Sequence, residues 1–513
     1  MAHRPGKRVA VIGAGISGVS SAAHLLKHGL EVVVFERSSI AGGVWHFDPR
    51  SAQDPTYPNE QPSRGDYEIR PELEYRTPPP EVSEDDKETA EELEIAHAPP
   101  GPCYAGLMNN VSTREMRTSL QAWPPGTTDF VGQSVLEEYI QSIARDHGVA
   151  SVTQYNTRVE NVQKVGSEWV IRTTTLRKDA IRGCHFTERR WAFDCVVVAS
   201  GHYQMPRIPD LPGLHGWKQA YPERVWHSKK YRDPRQFKDK NILLIGAGVS
   251  SYDIAKESAP YARRIFQSSR GGKLDLPASM MPEKATRVGG VRLFKLDGGC
   301  SNSEKEVAAL PIPGKIVLED GEELSDIHAV ILCTGYITSY PFFPHLHSDT
   351  TPAHEAGKHV LVTAEGNMVH NLYKDIFYIE DPSLAFVGAP YHIATFSLFE
   401  FQAQIVARVL SGKALLPSYE QMREEYAERV RTKGLGRDFH SLRGDGQEIA
   451  YVDDLVAWAN TDAEEQGIDD KMKGHTEEWH AAYLERKERL KFLRVDKTGQ
   501  GEDTDLRLEA QVV

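Results

Sequence analysis

The clearest pattern of apolar and polar positions lies near the start of the chain. An apolar run, Val9–Ile12, leads directly into a glycine-rich turn, and an apolar helical pattern follows from Val19 to Leu26. A second run, Glu31–Phe35, ends at Glu36. This order predicts a strand, a tight turn, a helix and a second strand that ends at an acidic residue.

The spacing of the glycines gives each of them a physical role. Gly13 allows the tight turn, Gly15 lets the backbone approach a pyrophosphate, and Gly18 lets the helix pack on the strand. Unpaired N–H groups at the helix start favour phosphates, and Glu36 can accept from both ribose hydroxyls. The alternative is a glycine turn without a ligand. The residues expected to bind this first dinucleotide are Gly13, Ala14, Gly15, Ile16, Ser17, Gly18, Glu36 and Arg37.

The same design recurs in the middle of the chain. The apolar run Ile242–Ile245 enters a turn that contains Gly246 and Gly248, and Ser251 stands where the third glycine would be. The sequence therefore predicts two dinucleotide-binding units. The residues expected to contact the second dinucleotide are Gly246, Gly248, Ser250, Ser251, Ser269 and Arg270.

The second unit differs from the first at its acidic position. Glu36 lies 23 positions after Gly13, and the same offset from Gly246 reaches Ser269, which is followed by Arg270. No carboxylate repels a 2′-phosphate there, and an arginine is available to bind one. NADPH is therefore expected rather than NADH. The alternative for Arg270 is a surface arginine without a ligand.

Two buried strands end in similar turns and suggest crossings between the two units. Cys195–Ala199 runs into a serine-glycine turn, and Ala329–Leu332 runs into Thr334–Tyr336. A third strand, Leu384–Val387, leads into a helical stretch that returns the chain to the first unit. The expected fold is α/β, with two Rossmann-like domains and a helical C-terminal extension. The expected division is an FAD domain at 1–212 and 337–410, an NADPH domain at 213–336 and the extension at 411–513.

Four local expectations concern the insertion, one helix start and the C-terminal region. Residues 48–102 are rich in proline and acids without hydrophobic periodicity, which predicts an exposed, partly mobile insertion. Partner binding is an unsupported alternative. Ser134 and Glu137 are spaced as a capping box at the start of a helix. A basic stretch from Arg486 to Arg494 is expected to be a solvated helix face, and the residues from 496 onward to be loosely held.

Composition narrows the class of protein. The 513 residues are 40% hydrophobic and 26% charged, with a formal net charge of −13, which is typical of a globular protein with two or three domains. This charge argues against a nucleic-acid partner. A homodimer is possible. No leader segment or bilayer-spanning run is recognised, so a cytoplasmic location is expected.

The cysteines bear on both compartment and chemistry. They form no CxxC pair and no metal-ligand spacing, so free thiols in a reducing compartment and no metal site are expected. The absence of CxxC also argues against a disulfide reductase. The five cysteines are Cys103, Cys184, Cys195, Cys300 and Cys333.

Two dinucleotide units in one chain suggest a bound flavin and a diffusible nicotinamide. The nicotinamide would reduce the flavin by hydride transfer, while the protein supplies orientation and excludes water. A reduced flavin can then react with O2 to form a hydroperoxide.

The chain resembles the flavin-containing monooxygenases, the single-component FAD- and NADPH-dependent family, and is most similar to fungal members. The resemblance spans residues 8–404 and, more weakly, 413–458. A family signature of the form FxGxxxHxxxY is imperfect here: His227 and Tyr231 keep their spacing, the phenylalanine is absent, and Glu223 replaces the glycine. The other motifs are Gly13–Gly18, Gly42–Trp45, Asn109–Asn110, Gly246–Ser251 and Thr334–Tyr336.

The resemblance implies roles for particular residues. Asn110 would hydrogen-bond near the flavin hydroperoxide and the nicotinamide, although from the sequence alone it could be a turn or cap residue. His227 would act in positioning rather than proton transfer, on the nicotinamide side. Further cofactor contacts are expected at Gly43, Val44, Trp45, Asn109, Thr334, Gly335, Tyr336 and Gln402.

The expected function is an oxidoreductase that uses NADPH and O2, forms a C4a-hydroperoxyflavin and oxygenates a nitrogen or sulfur of a small molecule. Two alternatives remain open. A Baeyer–Villiger monooxygenase would act on a ketone, and Tyr231 in place of tryptophan argues against it. A slow NADPH-sensing flavoprotein would bind both nucleotides without efficient turnover.

Overall fold

The structure is a computed structural model that describes residues 7–57, 61–68, 90–179, 183–272, 275–297 and 310–494. Several sequence predictions lie outside these ranges. They concern the proline and acidic runs between residues 69 and 89, Cys300, and the residues from 496 onward.

Helices and strands alternate through most of the described chain. The helices are α1 Ile16–Lys27, α2 Ala90–His97, α3 Gln133–Asp146, α4 Val149–Val152, α5 Leu214–Ala220, α6 Val249–Ser258, α7 Thr395–Leu410, α8 Tyr419–Lys433, α9 Gln447–Glu465 and α10 Glu477–Arg494. The strands are β1 Arg8–Ile12, β2 Glu31–Phe35, β3 Thr153–Gln154, β4 Thr157–Val165, β5 Glu168–Asp179, β6 Gly183–Phe193, β7 Cys195–Val198, β8 Met205–Pro206, β9 Val225–His227, β10 Asn241–Ile245, β11 Arg264–Ser268, β12 Ala285–Val288, β13 Val291–Leu296, β14 Gly314–Leu318, β15 Glu323–Leu324, β16 Ala329–Leu332, β17 Tyr336–Ile337, β18 His347–Ser348, β19 Val362–Thr363, β20 Leu372–Tyr373, β21 Phe377–Tyr378 and β22 Leu384–Phe386.

The first sheet is built around β1. Its strand order is β20-β21-β22-β7-β1-β2-β3, and the pairs from β22 to β3 are parallel. Alternate side chains of β1 point to opposite faces. Val9 and Val11 pack with α1, α3 and α7, whereas Ala10 and Ile12 pack under the antiparallel β4-β5-β6 sheet. Both faces are covered, which explains why the strand reads as an unbroken apolar run.

The second sheet repeats this plan around β10. Its five strands have the order β12-β11-β10-β16-β9, and all four pairs are parallel. Leu243 and Ile245 pack on one side with Trp217, and Ile242 and Leu244 pack on the other with α6. The expectation of two Rossmann-like units and a helical C-terminal region is confirmed.

The chain passes twice between the two sheets. It leaves the first sheet after β7 and returns at β20. Two strands later, β22 pairs with β7, with Ala385 opposite Val197. The short antiparallel pair β8–β17 joins the two connecting segments. The predicted domain limits at 212 and 336 lie in these connections and stay predictions.

The expectation of an exposed insertion is wrong for some of the described residues of 48–102, whereas others, such as Ser51, Gln53 and Glu91, are exposed. The carboxylate of Asp54 accepts hydrogen bonds from Lys218 Nζ at 2.6 Å and from the backbone N–H of His227 at 3.2 Å. Ala52 and Tyr57 are buried as well. Polar contacts of Asp54 with the second unit and of Asp66 with Arg37 of the first unit hold this segment in place. Composition and apolar periodicity do not reveal such contacts.

The helix predicted from Ser134 and Glu137 forms, but without their capping box. Helix α3 starts earlier, with Gly132 as its N-cap, and no side chain caps it. Glu137 instead accepts from His46 Nδ1 at 2.7 Å, so its carboxylate is taken up by a tertiary contact.

The C-terminal extension packs on the first unit. Arg486 of α10 is buried and pairs with Glu115 at 2.9 Å, so this residue is not part of a solvated face. The side chains of Lys491 and Arg494 lie outside the description. Cys103, Cys184, Cys195 and Cys333 are free thiols.

Candidate functional site

A long cleft follows the carboxyl edge of β1 and β2. It encloses about 2000 Å³ of empty space, part of it open to solvent. Its lining includes Arg158 and Leu176 as well as His202, Tyr391 and His392. Clefts at this edge of a parallel sheet are the usual ligand sites of α/β proteins.

The glycine turn after β1 forms the middle of the cleft wall. Gly13 has φ +104°, and a Cβ there would lie 2.5 Å from the carbonyl oxygen of Ala199. A Cβ on Gly18 would lie 1.9 Å from the carbonyl oxygen of Gly13, so only glycine lets α1 pack this close. The predicted steric roles of Gly13 and Gly18 are thus confirmed.

The start of α1 faces the cleft with free backbone donors. Gly15 is the N-cap, no side chain caps the helix, and Gly15, Ile16 and Ser17 line the cleft. A Cβ on Gly15 would lie 3.4 Å from Gly43 Cα, so the two backbones form a narrow cradle without side chains. Unpaired N–H groups and the helix dipole at this cradle fit a pyrophosphate.

The motif Gly43–Trp45 forms a short 3₁₀ turn that lines the same cleft. Trp45 is buried and contacts Phe396 edge to face, with ring centroids 6.5 Å apart. The sequence left open whether this tryptophan only anchors a loop or also lies beside a ligand. The structure places it at the cleft wall, so it anchors the loop through Phe396, and its packing beside a ligand stays a prediction.

Glu36 ends β2 at the cleft wall and is buried. Its two carboxylate oxygens accept from the backbone N–H groups of Ala14 at 2.7 Å and Ser38 at 2.8 Å. Each oxygen retains lone pairs for further donors, which fits the expected ribose contact. Ala14 itself does not line the cleft, so its part is to hold Glu36.

Arg37 belongs to a buried ion cluster that sequence reasoning missed. Its guanidinium donates to both oxygens of Asp66, at 2.9 and 3.0 Å, and Lys229 Nζ donates to the same carboxylate at 2.9 Å. Burial would raise the pKa of Asp66, but the charges of Arg37 and Lys229 outweigh it and hold that pKa well below its usual range. The cluster joins the first unit, the insertion and the second unit.

The two asparagines predicted at the site differ in their surroundings. Asn109 is buried, and its amide donates to the carbonyls of Val111 at 2.7 Å and Asp129 at 2.8 Å. Its oxygen accepts from Val131 N at 2.6 Å, so its side chain is engaged within the protein, and the expected cofactor contact stays a prediction. Asn110 is half-buried beside it, and its side chain makes no hydrogen bond to any residue that the structure describes.

His227 is fully buried away from the cleft wall. Its Nε2 donates to the carbonyl of Gly335 at 3.0 Å, and its Nδ1 accepts from the backbone N–H of Lys229 at 3.1 Å. Burial lowers its pKa to about 3, so the ring is neutral near pH 7. With both nitrogens engaged, the ring fixes the loop against Gly335, in line with the positioning role expected of it.

The Thr334–Tyr336 turn and Gln402 brace the fold rather than line the cleft. Thr334 Oγ1 donates to the carbonyl of Arg207 at 2.5 Å, and the Tyr336 ring lies 5.2 Å from that of His227. Gln402 accepts from the backbone N–H of Gly388 at 2.9 Å and donates to Tyr451. The side chains of Thr334 and Gln402 are engaged within the protein. The cofactor contacts expected at Thr334, Gly335, Tyr336 and Gln402 stay predictions.

The turn of the second unit copies that of the first. Gly246 has φ +111°, and a Cβ there would lie 2.3 Å from the carbonyl oxygen of Cys333. Ser250 is exposed at the start of α6. Ser251 is buried, donates to Gly248 O at 2.9 Å and accepts from Gln267. Ser251 therefore packs inside the unit, contrary to the expected ligand contact.

The end of β11 departs from the expectation that no carboxylate is present. Asp275 folds back onto Ser269, whose hydroxyl donates to it, and also accepts from the backbone N–H of Gly272 at 3.0 Å. Arg270 is exposed and forms no ion pair with any described residue. The spacing argument could not find Asp275, because a loop brings it back from six residues downstream.

Further cleft residues were not predicted, although some follow predicted strands. His202 and Tyr203 come after β7, and Tyr391 and His392 come after β22. Burial lowers the pKa of His202 to about 4 and that of His392, with nearby arginines, to about 3. The position of both pairs just beyond a parallel strand was the available signal.

Comparison with known proteins identifies the family. The sequence profile described as Flavin-binding monooxygenase-like matches residues 6–56, 96–280 and 307–465. The chain belongs to this family. The flavin-binding monooxygenase-like assignment makes the protein an oxidoreductase, and the glycine cradle is where its flavin nucleotide fits.

Relatives and solved structures agree with this assignment. Flavin-containing monooxygenase ustF2 of Aspergillus flavus is 43% identical over 502 residues, covering 94% of this chain and 97% of that protein. Flavin-containing monooxygenase iboF of Amanita muscaria is 30% identical, covering 90% of each. The structure of S-allyl-L-cysteine S-oxygenase from Allium sativum shares the fold, with a TM-score of 0.66 at 24% identity over 98% of this chain and 97% of that one.

The length and polarity of the helices also bear on membrane insertion. In the ranges that the structure describes, no helix is both long and apolar enough to cross a membrane.

Proposed function

We propose that this protein uses FAD, NADPH and O2 to transfer one oxygen atom to a nitrogen or sulfur of a small molecule. The observation that carries the proposal is the cradle between Gly15 and Gly43, with the bare start of α1 and Glu36 at one cleft wall. The balance is substrate, O2, NADPH and a proton in, and oxygenated substrate, water and NADP⁺ out. The oxygenation mechanism expected from the sequence stays part of this proposal.

Different residues around the cleft would bind different parts of FAD. The N–H groups of Gly15 and Ile16 would hold the FAD pyrophosphate, Glu36 its ribose, and Trp45 would pack beside it. When bound, the flavin supplies the redox chemistry, because it takes hydride from the nicotinamide and reacts with O2. The uncharged walls at Tyr203 and His392 exclude water and keep protons away from the reacting oxygen.

Asn110 is the proposed donor at the reacting oxygen, as the family resemblance implies. Its amide is not engaged by any described residue, and it does not line the cleft itself. A neutral donor can stabilise a developing charge without delivering a proton. His227 is a positioning residue, since it holds the turn at Gly335 and remains neutral. Gly246, Gly248 and Ser250 form the proposed phosphate turn for NADPH, with Arg270 at its 2′-phosphate.

The name of one structural relative supports a sulfur substrate. The structural relative from Allium sativum is named for S-oxygenation of S-allyl-L-cysteine, whereas the fungal relatives are named flavin-containing monooxygenases without a substrate. Cyclohexanone monooxygenase shares only the fold, at 12% identity and a TM-score of 0.52, so it does not favour a ketone substrate.

The test combines spectroscopy with product analysis. The purified protein should be yellow, NADPH should bleach it anaerobically much faster than NADH, and Arg270→Gln should narrow that preference about tenfold. Under ¹⁸O₂, a thioether or amine product should gain one labelled oxygen. Lactone formation from a ketone would establish the Baeyer–Villiger alternative instead. NADPH binding without an oxygenated product from any class would establish the sensing alternative.

A further inference from the structure

The insertion lines the cleft with two stretches of its chain. The first stretch contributes Gly65, Asp66 and Tyr67, and the second contributes Glu94 and residues 97–101. The family profile matches residues 6–56 and resumes at 96, so the first stretch and Glu94 lie outside it. This chain therefore builds part of the cleft from residues that the family pattern does not specify.

The first stretch is attached beside Glu36, the residue proposed to bind the ribose. Arg37 follows Glu36 in the chain and donates to both carboxylate oxygens of Asp66, at 2.9 and 3.0 Å. The hydroxyl of Tyr67 donates to the carbonyl of Val159 at 3.1 Å, and Val159 also lines the cleft. The first stretch is therefore held next to the proposed ribose position.

The second stretch is attached to the same region through the segment after β3. There, Thr157 N donates to the Glu36 carbonyl at 2.8 Å, and Asn156 N donates to the Ser38 carbonyl at 2.9 Å. His97, the last residue of α2, is buried, and its Nε2 donates to the Asn156 carbonyl at 2.9 Å. Both stretches thus reach the end of β2, each through a different neighbour of Glu36.

One buried arginine holds the two stretches together. Arg158 donates from Nη2 to the Glu68 carbonyl and from Nη1 to the Ala96 carbonyl, both at 2.9 Å. Its Nε donates to Glu160 at 2.9 Å, and its guanidinium lies 4.4 Å from the centroid of the Tyr67 ring. Because Arg158 lies on β4, both stretches are fixed to the first unit at one point.

Glu94 connects α2 to two other segments that line the cleft. Its carboxylate accepts from Arg50 Nη1 at 3.1 Å and from Lys178 Nζ at 2.7 Å. Arg50 follows the Gly43–Trp45 turn, Lys178 lies on β5, and both residues line the cleft. The Glu94 side chain is 24% exposed, so water partly screens these two ion pairs.

We propose that Tyr67, Glu94 and residues 97–99 form an adenosine wall, which completes the FAD site around the adenosine half and slows release of the cofactor. The inference rests on the proposed use of FAD, with its ribose at Glu36. The pyrophosphate joins the two halves of FAD, so the adenosine lies on the Glu36 side of the Gly15 cradle. Ala98 and Pro99 offer the apolar contact that suits a purine.

The rate of FAD release from the holoenzyme tests the adenosine wall without turnover. Free flavin would be followed by fluorescence after dilution. Glu94→Gln keeps the size of the side chain but removes both ion pairs, so FAD should leave about fivefold faster. Ala98→Phe adds a ring to the cleft lining and should accelerate release about tenfold or more.

The matched control is Glu91→Gln, because Glu91 is an exposed glutamate of α2 that does not line the cleft. This variant should release FAD at the wild-type rate. Circular dichroism would verify the fold of each variant. If Ala98→Phe loses helix, the comparison of Glu94→Gln with Glu91→Gln decides alone. Equal FAD release from wild type, Glu94→Gln and a folded Ala98→Phe would overturn the inference.

Flavin mononucleotide separates an adenosine contact from a general effect on the fold, because it lacks the adenosine half. After exchange of the holoenzymes into excess flavin mononucleotide, wild type and both variants should release this cofactor at equal rates. If the variants accelerate release of both cofactors equally, the insertion acts through the fold alone and the adenosine wall is refuted. Equal retention of FAD and flavin mononucleotide by wild type would refute it as well.

Failure of the proposed oxygenation would give a different result. A protein that releases FAD faster in both variants but forms no oxygenated product under NADPH and O2 would keep the adenosine wall and refute the oxygenation. A protein that oxygenates its substrate but releases FAD at one rate in wild type and both variants would keep the oxygenation and refute the adenosine wall.

Discussion

Asp66 is the residue through which the insertion can be tested most directly. Asp66→Asn keeps the shape of the side chain but removes the charge that Arg37 and Lys229 share. All three side chains are largely buried, with exposed fractions of 17%, 7% and 4% for Arg37, Asp66 and Lys229. Removing one partner of a buried ion pair costs about 3–5 kcal/mol, because the remaining charges stay buried and unpaired.

The loss of stability in Asp66→Asn should fall at the lower end of that range. The amide oxygen of asparagine still accepts one of the three hydrogen bonds, so we expect a loss of about 3 kcal/mol in the free energy of unfolding. Urea unfolding at pH 7 would measure this with and without saturating FAD. Because Arg37 lines the cleft, the variant should also lose FAD faster on dilution into apo-buffer.

The dependence of the loss on pH has a definite sign. The pKa of Asp66 is lowered by folding, so its contribution is complete above about pH 4 and disappears only as the pH falls further. Burial lowers the pKa of Lys229, and Asp66 opposes that shift. In the variant this opposition is gone, so folded Lys229 loses its proton more easily. The difference between wild type and variant should therefore shrink as the pH rises from 7 to 10.

The matched control is Asp233→Asn, which breaks an Arg–Asp pair in which Arg235 is 75% exposed. We expect a loss of about 1 kcal/mol or less, including its turn-capping bond. If Asp66→Asn and Asp233→Asn lose the same stability, or if the loss at Asp66 does not vary with pH, the buried cluster does not join the units as described.

Three further predictions concern the glycine turns and the motif residues. Gly18→Ala should lose about 3 kcal/mol and its flavin, because the new Cβ would lie 1.9 Å from the Gly13 carbonyl oxygen, whereas Gly248→Ala has no atom within 4 Å and should fold normally by circular dichroism. Wild-type stability should fall below about pH 6.5, because the unfolded chain binds a proton at His227 that the folded ring resists, and His227→Gln should make this fall smaller. The same dependence of the urea midpoint on pH in wild type and variant would contradict this. Asn110→Ala should raise the yield of H2O2 per NADPH about tenfold without destabilising the fold; unchanged coupling would remove Asn110 from the site.

Local patterns determined the parts of the fold that the sequence revealed. The turns at Gly13 and Gly246 follow from an apolar strand and a glycine whose Cβ would collide with the neighbouring strand's turn. These are contacts between short, strongly patterned elements, so spacing identifies them. The adjacent parallel strands then follow from right-handed crossover connections.

Long-range contacts determined what the sequence did not reveal. Asp66 meets Lys229 from 163 positions away, and Ser441 meets His392 from 49. Glu137 had the spacing of a cap but pairs with His46 instead. The Asn109 amide, expected at the cofactor, is bonded within its own loop. Asn109 and Asn110 are adjacent and have the same side chain, so the sequence could not show which of them is engaged.

The pairing of β8 with β17 has a consequence for how this architecture can vary. The chain enters the second unit after β8 and leaves it at β17, and these two strands hydrogen-bond to each other, with Pro206 opposite Tyr336. The second unit is therefore an insertion whose two ends lie side by side at this strand pair. The loops of the second unit can therefore change in length or sequence while the first sheet keeps every strand pair, so the proposed nicotinamide site can diverge without a change in the first unit.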